Sequence, residues 1–187
     1  MYCTNNEVKA YLGISGTTDD ALIASLITAA QVQIDTFCHR TFEAASDSTR
    51  YFNAVSDRDG LVLWLDADLC SITTVTNGDG VAVTSSEYTT IPKNETPYNR
   101  LKLLVSAGKS WTFTTDPDDA IIIVGKWAYS VTAPADVGQA CKRLAGFMYR
   151  QKDQQMFDVT VVEGGTRVTP LAIPNDVKEA LEPYRKL

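Results

Sequence analysis

Residues 18–42 read TDDALIASLITAAQVQIDTFCHRTF, and this stretch decides how the chain is organised. Its apolar side chains recur at steps of three and four residues, so they line one face of a helix of about six turns. Those side chains are Leu22, Ile23, Leu26, Ile27, Ala30, Ile34, Phe37 and Cys38. The helix is expected to be capped by Thr17 or Thr18. Because so wide an apolar stripe is not stable alone in water, other segments must cover it.

Three further stretches carry helical patterns that could cover this face. Residues 4–13 combine a polar start, Glu7 in the first turn and a closing glycine, which predicts a short helix. Residues 134–152 begin with a proline suited to a first turn and continue with an apolar stripe, which predicts a second long helix. A short closing helix is expected between Pro174 and Pro183. These helices are expected to form a small bundle.

The segment between the long helices has a different period. Short runs rich in Val, Ile, Thr, Trp and Tyr alternate with turn clusters, and Asn77-Gly78-Asp79-Gly80 is a strong hairpin signal. Strands are expected at residues 49–53, 61–65, 72–76, 81–84, 88–91, 101–104, 111–114 and 120–129. Residues 158–169, around a Glu-Gly-Gly centre, are expected to form a hairpin or mobile loop.

These patterns together predict an α+β protein. Residues 1–45 and 130–187 are expected to form the helical core, with two long helices and short helices at each end. Residues 46–129 are expected to form a large inserted antiparallel β sheet or barrel. The insertion is inferred because the helical segments that should pack together flank the β segment in sequence.

The composition limits the classes of function. The chain has 187 residues, of which 44% are hydrophobic and 21% charged, as is ordinary for a folded protein. A net charge of −6 and the lack of a basic run argue against a protein whose main task is to grip nucleic acid. The longest apolar run, residues 120–124, is far shorter than the roughly 20 residues that cross a bilayer. With no secretory signal pattern in the first residues, we expect a cytosolic chain without a membrane partner.

Residues suited to catalysis or metal binding are sparse. The single histidine, His39, follows Asp35 by one helical turn but has no partner at metal-ligand spacing. The four cysteines lack CxxC spacing and are expected to stay reduced, with Cys38 and Cys141 as small core hydrophobes. The short glycine pairs lack the strand-to-helix pattern of a phosphate-binding loop. We therefore predict no cofactor, no metal and no catalytic residue.

The two ends of the chain resemble a known family. Four motifs carry the likeness: Val8-Lys9-Ala10-Tyr11-Leu12-Gly13-Ile14, then Asp19-Asp20-Ala21-Leu22-Ile23, then Leu26-Ile27-Thr28-Ala29-Ala30, then Ile34-Asp35-Thr36-Phe37-Cys38-His39-Arg40-Thr41-Phe42. Together they resemble the head-tail connector, or adaptor, family of tailed bacteriophages. Residues 134–150 look like the second long helix of that family, and residues 173–185 look like its closing segment. The resemblance skips the β segment, which is larger than a minimal all-helical adaptor needs.

This resemblance implies a structural phage protein and not an enzyme. Similar proteins form a dodecameric ring beneath the portal protein, extend the DNA channel and offer an attachment surface to neck, stopper or tail-completion proteins. The implied location is the head-tail junction of the virion, after synthesis in the host bacterial cytoplasm. Genomic DNA would pass through without specific binding, since an acidic wall repels phosphate.

A closed ring needs heterologous contacts, in which one face of each subunit meets a different face of the next. The exposed sides of the two long helices are expected to contribute to these contacts. The 158–169 segment and the closing tail are expected to order on assembly. The candidate residues of the subunit or portal interface are Asp35, Arg40, Arg143, Arg150, Glu163, Arg167, Tyr184 and Arg185.

Two other interpretations of the sequence stay open. The first is a carbohydrate- or peptide-binding β module on a helical base, which a deep aromatic pocket at Trp64, Trp111 or Trp127 would favour. The second is a hydrolase that uses Asp35, His39 and a nearby hydroxyl. An activity lost in His39→Ala with the fold intact would favour it.

Overall fold

The computed structural model describes residues 1–152, 160–162, 166–168 and 173–186. The chain divides into two compact units, one made of Met1–His39 with Ala133–Leu187 and the other of Arg40–Thr132. The described part of the first unit is helical with one small hairpin, and the second unit is built mainly from antiparallel strands. The predicted α+β class is confirmed.

The helices of the first unit pack through narrow apolar faces. In the described residues the helices are α1 (Asn5–Leu12), α2 (Asp20–Cys38), α3 (Ala135–Gln151) and α4 (Asn175–Leu181), followed by a 3₁₀ turn at Glu182–Tyr184. The buried residues of α2 are Ile23, Ile27, Ala30, Ile34 and Cys38. Those of α3 are Val137, Ala140, Cys141, Leu144, Ala145 and Gly146. Helix α3 contacts α1, α2 and α4, so it lies at the centre of this unit.

Helix α1 has the ends that its sequence predicts. The hydroxyl of Thr4 accepts a hydrogen bond from the Glu7 N–H at 3.3 Å, and the Glu7 carboxylate accepts one from the Thr4 N–H at 2.7 Å. This reciprocal capping box lowers the pKa of Glu7, chiefly through the Thr4 N–H. At the other end Gly13 adopts a left-handed backbone with φ of 71°, which a glycine tolerates without strain.

Helix α2 begins later than predicted. Asp19 occupies the N-cap position without a side-chain capping bond, so the expected cap at Thr17 or Thr18 is wrong. The Asp19 carboxylate instead accepts a hydrogen bond from the Tyr149 hydroxyl, on α3. The helix ends at Cys38, the last residue of the predicted apolar stripe, because His39 takes a left-handed conformation with φ of 53°.

Helix α2 is the one described helix that is long and apolar enough to cross a membrane, judged by length and composition alone. A core helix of a globular unit passes the same test. Here the buried stripe of α2 packs against α3, as a core helix does.

The second unit contains two antiparallel sheets. Its strands are β1 (Ser48–Phe52), β2 (Arg58–Asp59), β3 (Val62–Leu69), β4 (Ser71–Thr76), β5 (Tyr88–Ile91), β6 (Tyr98–Leu103) and β7 (Ile121–Lys126). One sheet has the order β1-β7-β4 and the other β2-β3-β6-β5. Inward residues of the two sheets, such as Phe52, Leu63, Leu101, Ile121 and Ile123, form one apolar core around Trp111.

Two predicted strands, 81–84 and 111–114, are wrong. The first segment does return beside β4 after the Asn77–Gly80 turn, with the Val83 N–H donating to the Val75 carbonyl at 2.8 Å, but it forms only an isolated bridge. In the second, Trp111 is buried and its indole N–H donates to the Leu61 carbonyl at 3.0 Å. The apolar signal there came from one anchored aromatic and not from strand alternation.

Neighbouring residues on β6 provide a test of the core. Leu101 is fully buried and Lys102 is exposed. Leu101→Ala is expected to lower the free energy of unfolding by about 2–5 kcal/mol, because it removes apolar contacts and leaves a cavity. Lys102→Ala should change it by less than about 0.5 kcal/mol. Urea denaturation of both variants measures the difference, and equal losses would contradict this placement of β6.

Candidate interaction surface

Asp35 lies on α2 and accepts a hydrogen bond from the Tyr2 hydroxyl at 2.5 Å. Burial raises the pKa of Asp35 above its ordinary value, and the bond from Tyr2 opposes that rise only in part. The ionised carboxylate therefore carries a desolvation cost in the isolated chain. A cation from another subunit would reduce that cost, so Asp35 is suited to an intermolecular ion pair.

Arg143 and Arg150 lie on the exposed side of α3. Arg143 forms an ion pair with Asp176 of α4 at 3.0 Å, and the two side chains are 43% and 56% exposed. A pair this exposed adds little stability, because water screens it, so Arg143 can exchange its partner at low cost. Both arginines line a groove of about 170 Å³ together with Tyr11 and Phe147.

A second groove lies on the other side of Arg143. It has a volume of about 330 Å³, and Asp136, Gln139, Glu179 and Pro183 are among its lining residues. The Tyr184 hydroxyl donates a hydrogen bond to Asp136 at 3.3 Å. The structure thus brings three candidates together on one surface. We call it the α3–α4 surface and define it by Asp136, Gln139, Arg143, Arg150, Asp176, Glu179 and Tyr184.

The closing segment lies against the end of α2. The Arg185 guanidinium stacks over the Phe37 ring at 5.4 Å and pairs with Glu182 at 3.8 Å. The Lys186 N–H donates to the Cys38 carbonyl at 2.9 Å. Arg185 directly follows Tyr184 in sequence, but its side chain lies against α2 and not on the α3–α4 surface.

Arg40 does not lie on the exposed side of a helix, so that part of the expectation is wrong. The left-handed turn at His39 ends α2 first, and Arg40 belongs to the second unit. Its Nε is 3.4 Å from an Asp68 oxygen, with side chains only 15% and 7% exposed, and its guanidinium stacks over Tyr129 at 5.3 Å. An interface role for Arg40 stays a prediction.

The two remaining candidates lie in the 158–169 segment. Strands β8 (Thr160–Val162) and β9 (Thr166–Val168) pair antiparallel, which confirms the hairpin, with Val161 opposite Arg167. Glu163 lies outside the described residues.

The structure gives no support to the two other interpretations. Trp111 and Trp127 are 2% and 7% exposed, and Trp64 is half-exposed with Arg100 stacked on it at 4.7 Å, so the described tryptophans do not form a deep aromatic pocket. Asp35 is held by Tyr2, and His39 is the exposed residue that ends α2. Among the described residues, no group of three or more His, Cys, Asp or Glu could hold a metal ion.

Sequence patterns missed the partners of these side chains. The sequence predicted a closing helix that contains Asp176 but not its ion pair with Arg143. No sequence pattern predicted that Tyr2 bonds to Asp35. The one available hint for Asp176 is its position after Pro174, in a first turn that favours an acid.

The whole chain matches a family model. The model is described as "HCP: Head completion protein", and it matches residues 2–187. The chain belongs to the head completion protein family. It is a structural protein of the phage head-tail region and not an enzyme.

Solved structures share the fold of this family member. A chain in the neck of an empty gene transfer agent particle, computed with C6 symmetry, has a TM-score of 0.59 at 17% identity, covering 98% of this chain and 89% of that one. A chain in the neck of a native particle, computed with C12 symmetry, has 0.58 at 19% identity, covering 97% and 87%. A chain in the native virion has 0.56 at 19% identity, covering 98% and 89%. No curated protein matches the sequence.

Asp35→Asn is expected to remove one contribution that lowers the stability of the natural chain as pH rises, so the variant should gain stability relative to the natural chain at the higher pH. In the unfolded chain Asp35 loses its proton near the ordinary pKa of 3.8, whereas in the folded chain its pKa is raised. Between these two pKa values ionisation favours the unfolded chain, so Asp35 lowers the free energy of unfolding as pH rises through this interval. Asparagine still accepts the Tyr2 hydrogen bond but has no charge. Urea denaturation at pH 3.5 and pH 7 measures the difference.

Tyr2→Phe provides the opposite control for this experiment. It removes the hydrogen bond that favours ionised Asp35, so the pKa of Asp35 should rise further and the loss of stability toward pH 7 should grow. A Tyr2→Phe variant with a smaller loss than the natural chain would contradict this account of Asp35.

Proposed function

We propose that this protein is a head-tail connector that docks on the portal ring, extends the DNA channel and offers an attachment surface to neck, stopper or tail-completion proteins. The observation that carries the proposal is the family match over residues 2–187. Chains of the same fold in gene transfer agent necks with C6 and C12 symmetry support it. The corresponding location is the head-tail junction of the virion, after synthesis in the host cytoplasm.

The proposed self-assembly is a dodecameric ring. Closed cyclic symmetry requires two different complementary faces on each subunit. The α3–α4 surface supplies one of them, since Arg143 and Arg150 are exposed arginines beside shallow grooves. Asp35 marks the second face, because its half-buried carboxylate gains most from a cation. An ion pair between Asp35 and Arg143 or Arg150 of a neighbour would help to set the register of the two subunits.

The proposed contact with the portal uses the closing segment and the β8–β9 hairpin. Arg185 and Lys186 place two cations beside the end of α2, and Arg167 adds a third in β9. A short strand pair can also extend a sheet of another protein through backbone hydrogen bonds. Residues 46–129 are proposed to act as an inserted β domain, and Arg40 within the second unit is proposed to support it.

The proposed passage of DNA requires no binding site. The net charge of −6 disfavours lasting contacts with phosphate, so DNA would slide through the ring. We therefore expect any retention of DNA by the ring to change little with salt concentration.

Light scattering after size exclusion, followed by negative-stain imaging, tests the proposed function. We expect rings, either from the chain alone at high concentration or after addition of portal protein. A strict monomer that also ignores portal would overturn the proposed function.

A double charge reversal tests the proposed ring face. Arg143→Glu with Arg150→Glu is expected to weaken ring formation about tenfold, because Asp35 of a neighbour would then meet two carboxylates in place of two guanidinium groups. Lys102→Glu, which reverses one exposed charge on β6 of the other unit, is the control and should leave assembly unchanged. Undiminished rings in the double variant would remove the α3–α4 surface from the interface.

A further inference from the structure

Two buried thiols that lie far apart in sequence meet inside the first unit. The Sγ atoms of Cys3 and Cys141 are 3.5 Å apart, although the residues are separated by 138 positions. Cys3 is 2% exposed and Cys141 is fully buried. The other two cysteines face backbone carbonyls, Cys38 that of Leu181 at 3.9 Å and Cys70 that of Lys126 at 3.3 Å.

The backbone around Cys3 is held close to α3. A Cβ added at Gly138, one turn before Cys141, would lie 2.9 Å from the Tyr2 carbonyl oxygen. Further along, a Cβ at Gly146 would lie 3.0 Å from the Tyr11 ring, so α1 continues along the same helix. The Tyr2 hydroxyl fixes the other side of the segment to Asp35 on α2. The approach of the two sulfurs is therefore set by packing on both sides of Cys3.

We propose that Cys3 and Cys141 form an intrachain disulfide when the protein meets a small-molecule disulfide, and that this bond staples the first residues to α3. A disulfide needs an S–S distance of about 2.05 Å, so the sulfurs must approach by about 1.5 Å. The proposal is independent of the proposed function.

The oxidant is a low-molecular-weight disulfide such as glutathione disulfide. The Cys3 thiolate attacks one sulfur of this molecule, forms a mixed disulfide and releases one glutathione thiolate. The Cys141 thiolate then attacks the Cys3 sulfur and releases the second glutathione. The two thiol protons pass to the two glutathione molecules, and the two electrons lost by the protein reduce the small disulfide.

The order of attack follows from the environment of the thiols. The hydrogen bond between the sulfurs lowers the pKa of Cys3, which favours it as the attacking group. The same bond, with burial, raises the pKa of Cys141. Once Cys3 carries glutathione that bond is broken, and Cys141 is freed to attack. Met1 is 67% exposed, so a local opening of the first residues brings Cys3 to the oxidant.

The test begins with the natural chain, purified in reductant and then incubated with glutathione disulfide. We expect a mass loss of about 2 Da per chain, from the two hydrogens lost, and a linked Cys3–Cys141 peptide in a non-reducing digest. The oxidised chain should melt several degrees higher than the reduced one, because the closed loop constrains the unfolded chain. Adding dithiothreitol should reverse both changes.

Single substitutions provide the matched controls. Cys38→Ser and Cys70→Ser should keep the linked peptide, whereas Cys3→Ser and Cys141→Ala should lose it. In the natural chain, free thiols remaining at both Cys3 and Cys141, a glutathione adduct left on Cys3, or a link to Cys38 or Cys70 would each overturn the proposal. A linked Cys3–Cys141 peptide without a higher melting temperature would contradict the proposal that the bond staples the first residues to α3.

Discussion

The packing of α2 against α3 is the contact on which the first unit depends. The apolar stripe of α2 is covered by a helix that begins nearly a hundred positions later in the chain. The chain therefore leaves the first unit after His39 and returns to it at Ala133. The residues between, Arg40–Thr132, form the second unit. The left-handed backbone at His39 is the local device that makes this exit possible, since it stops α2 while its stripe still faces α3.

Sequence patterns predicted those features whose causes are local. The ends of α1 follow from residues within ten positions of each other: Thr4 and Glu7 bond to each other at the start, and the Gly13 N–H bonds to the Lys9 and Ala10 carbonyls at the end. The start of α2 was wrong because Asp19 interacts with Tyr149, 130 positions away. The strand expected at Trp111 failed for the same reason, because a distant carbonyl anchors that ring. Long-range partners override local preference, and a single sequence does not contain them.

The candidate interface shows the same division between residue type and environment. Arg40 and Arg143 are the same residue type in different environments. Arg40 is covered by Asp68 and Tyr129. Arg143 is exposed, and its ion pair with Asp176 can be exchanged. Periodicity placed Arg143 and Arg150 on a helix surface, because α3 is regular throughout. It could not place Arg40, whose position depends on one residue with positive φ. The family, by contrast, was recognisable from the order of short motifs at the two ends of the chain.

Helix α3 carries two kinds of chemistry on opposite sides. Cys141 is buried against Cys3, and Arg143 is exposed beside Asp176. Residues separated by two positions on a helix point in directions about 200° apart, so the side chains of Cys141 and Arg143 do not share a face. A bond formed at Cys141 would stiffen the helix from inside without occupying the surface proposed for neighbouring subunits. The burial of Cys141 was predicted from its residue type, but the burial of Cys3 and the approach of the two sulfurs were not, because they depend on how the first residues lie along α3. An internal staple and an external ring contact can therefore coexist on the same helix.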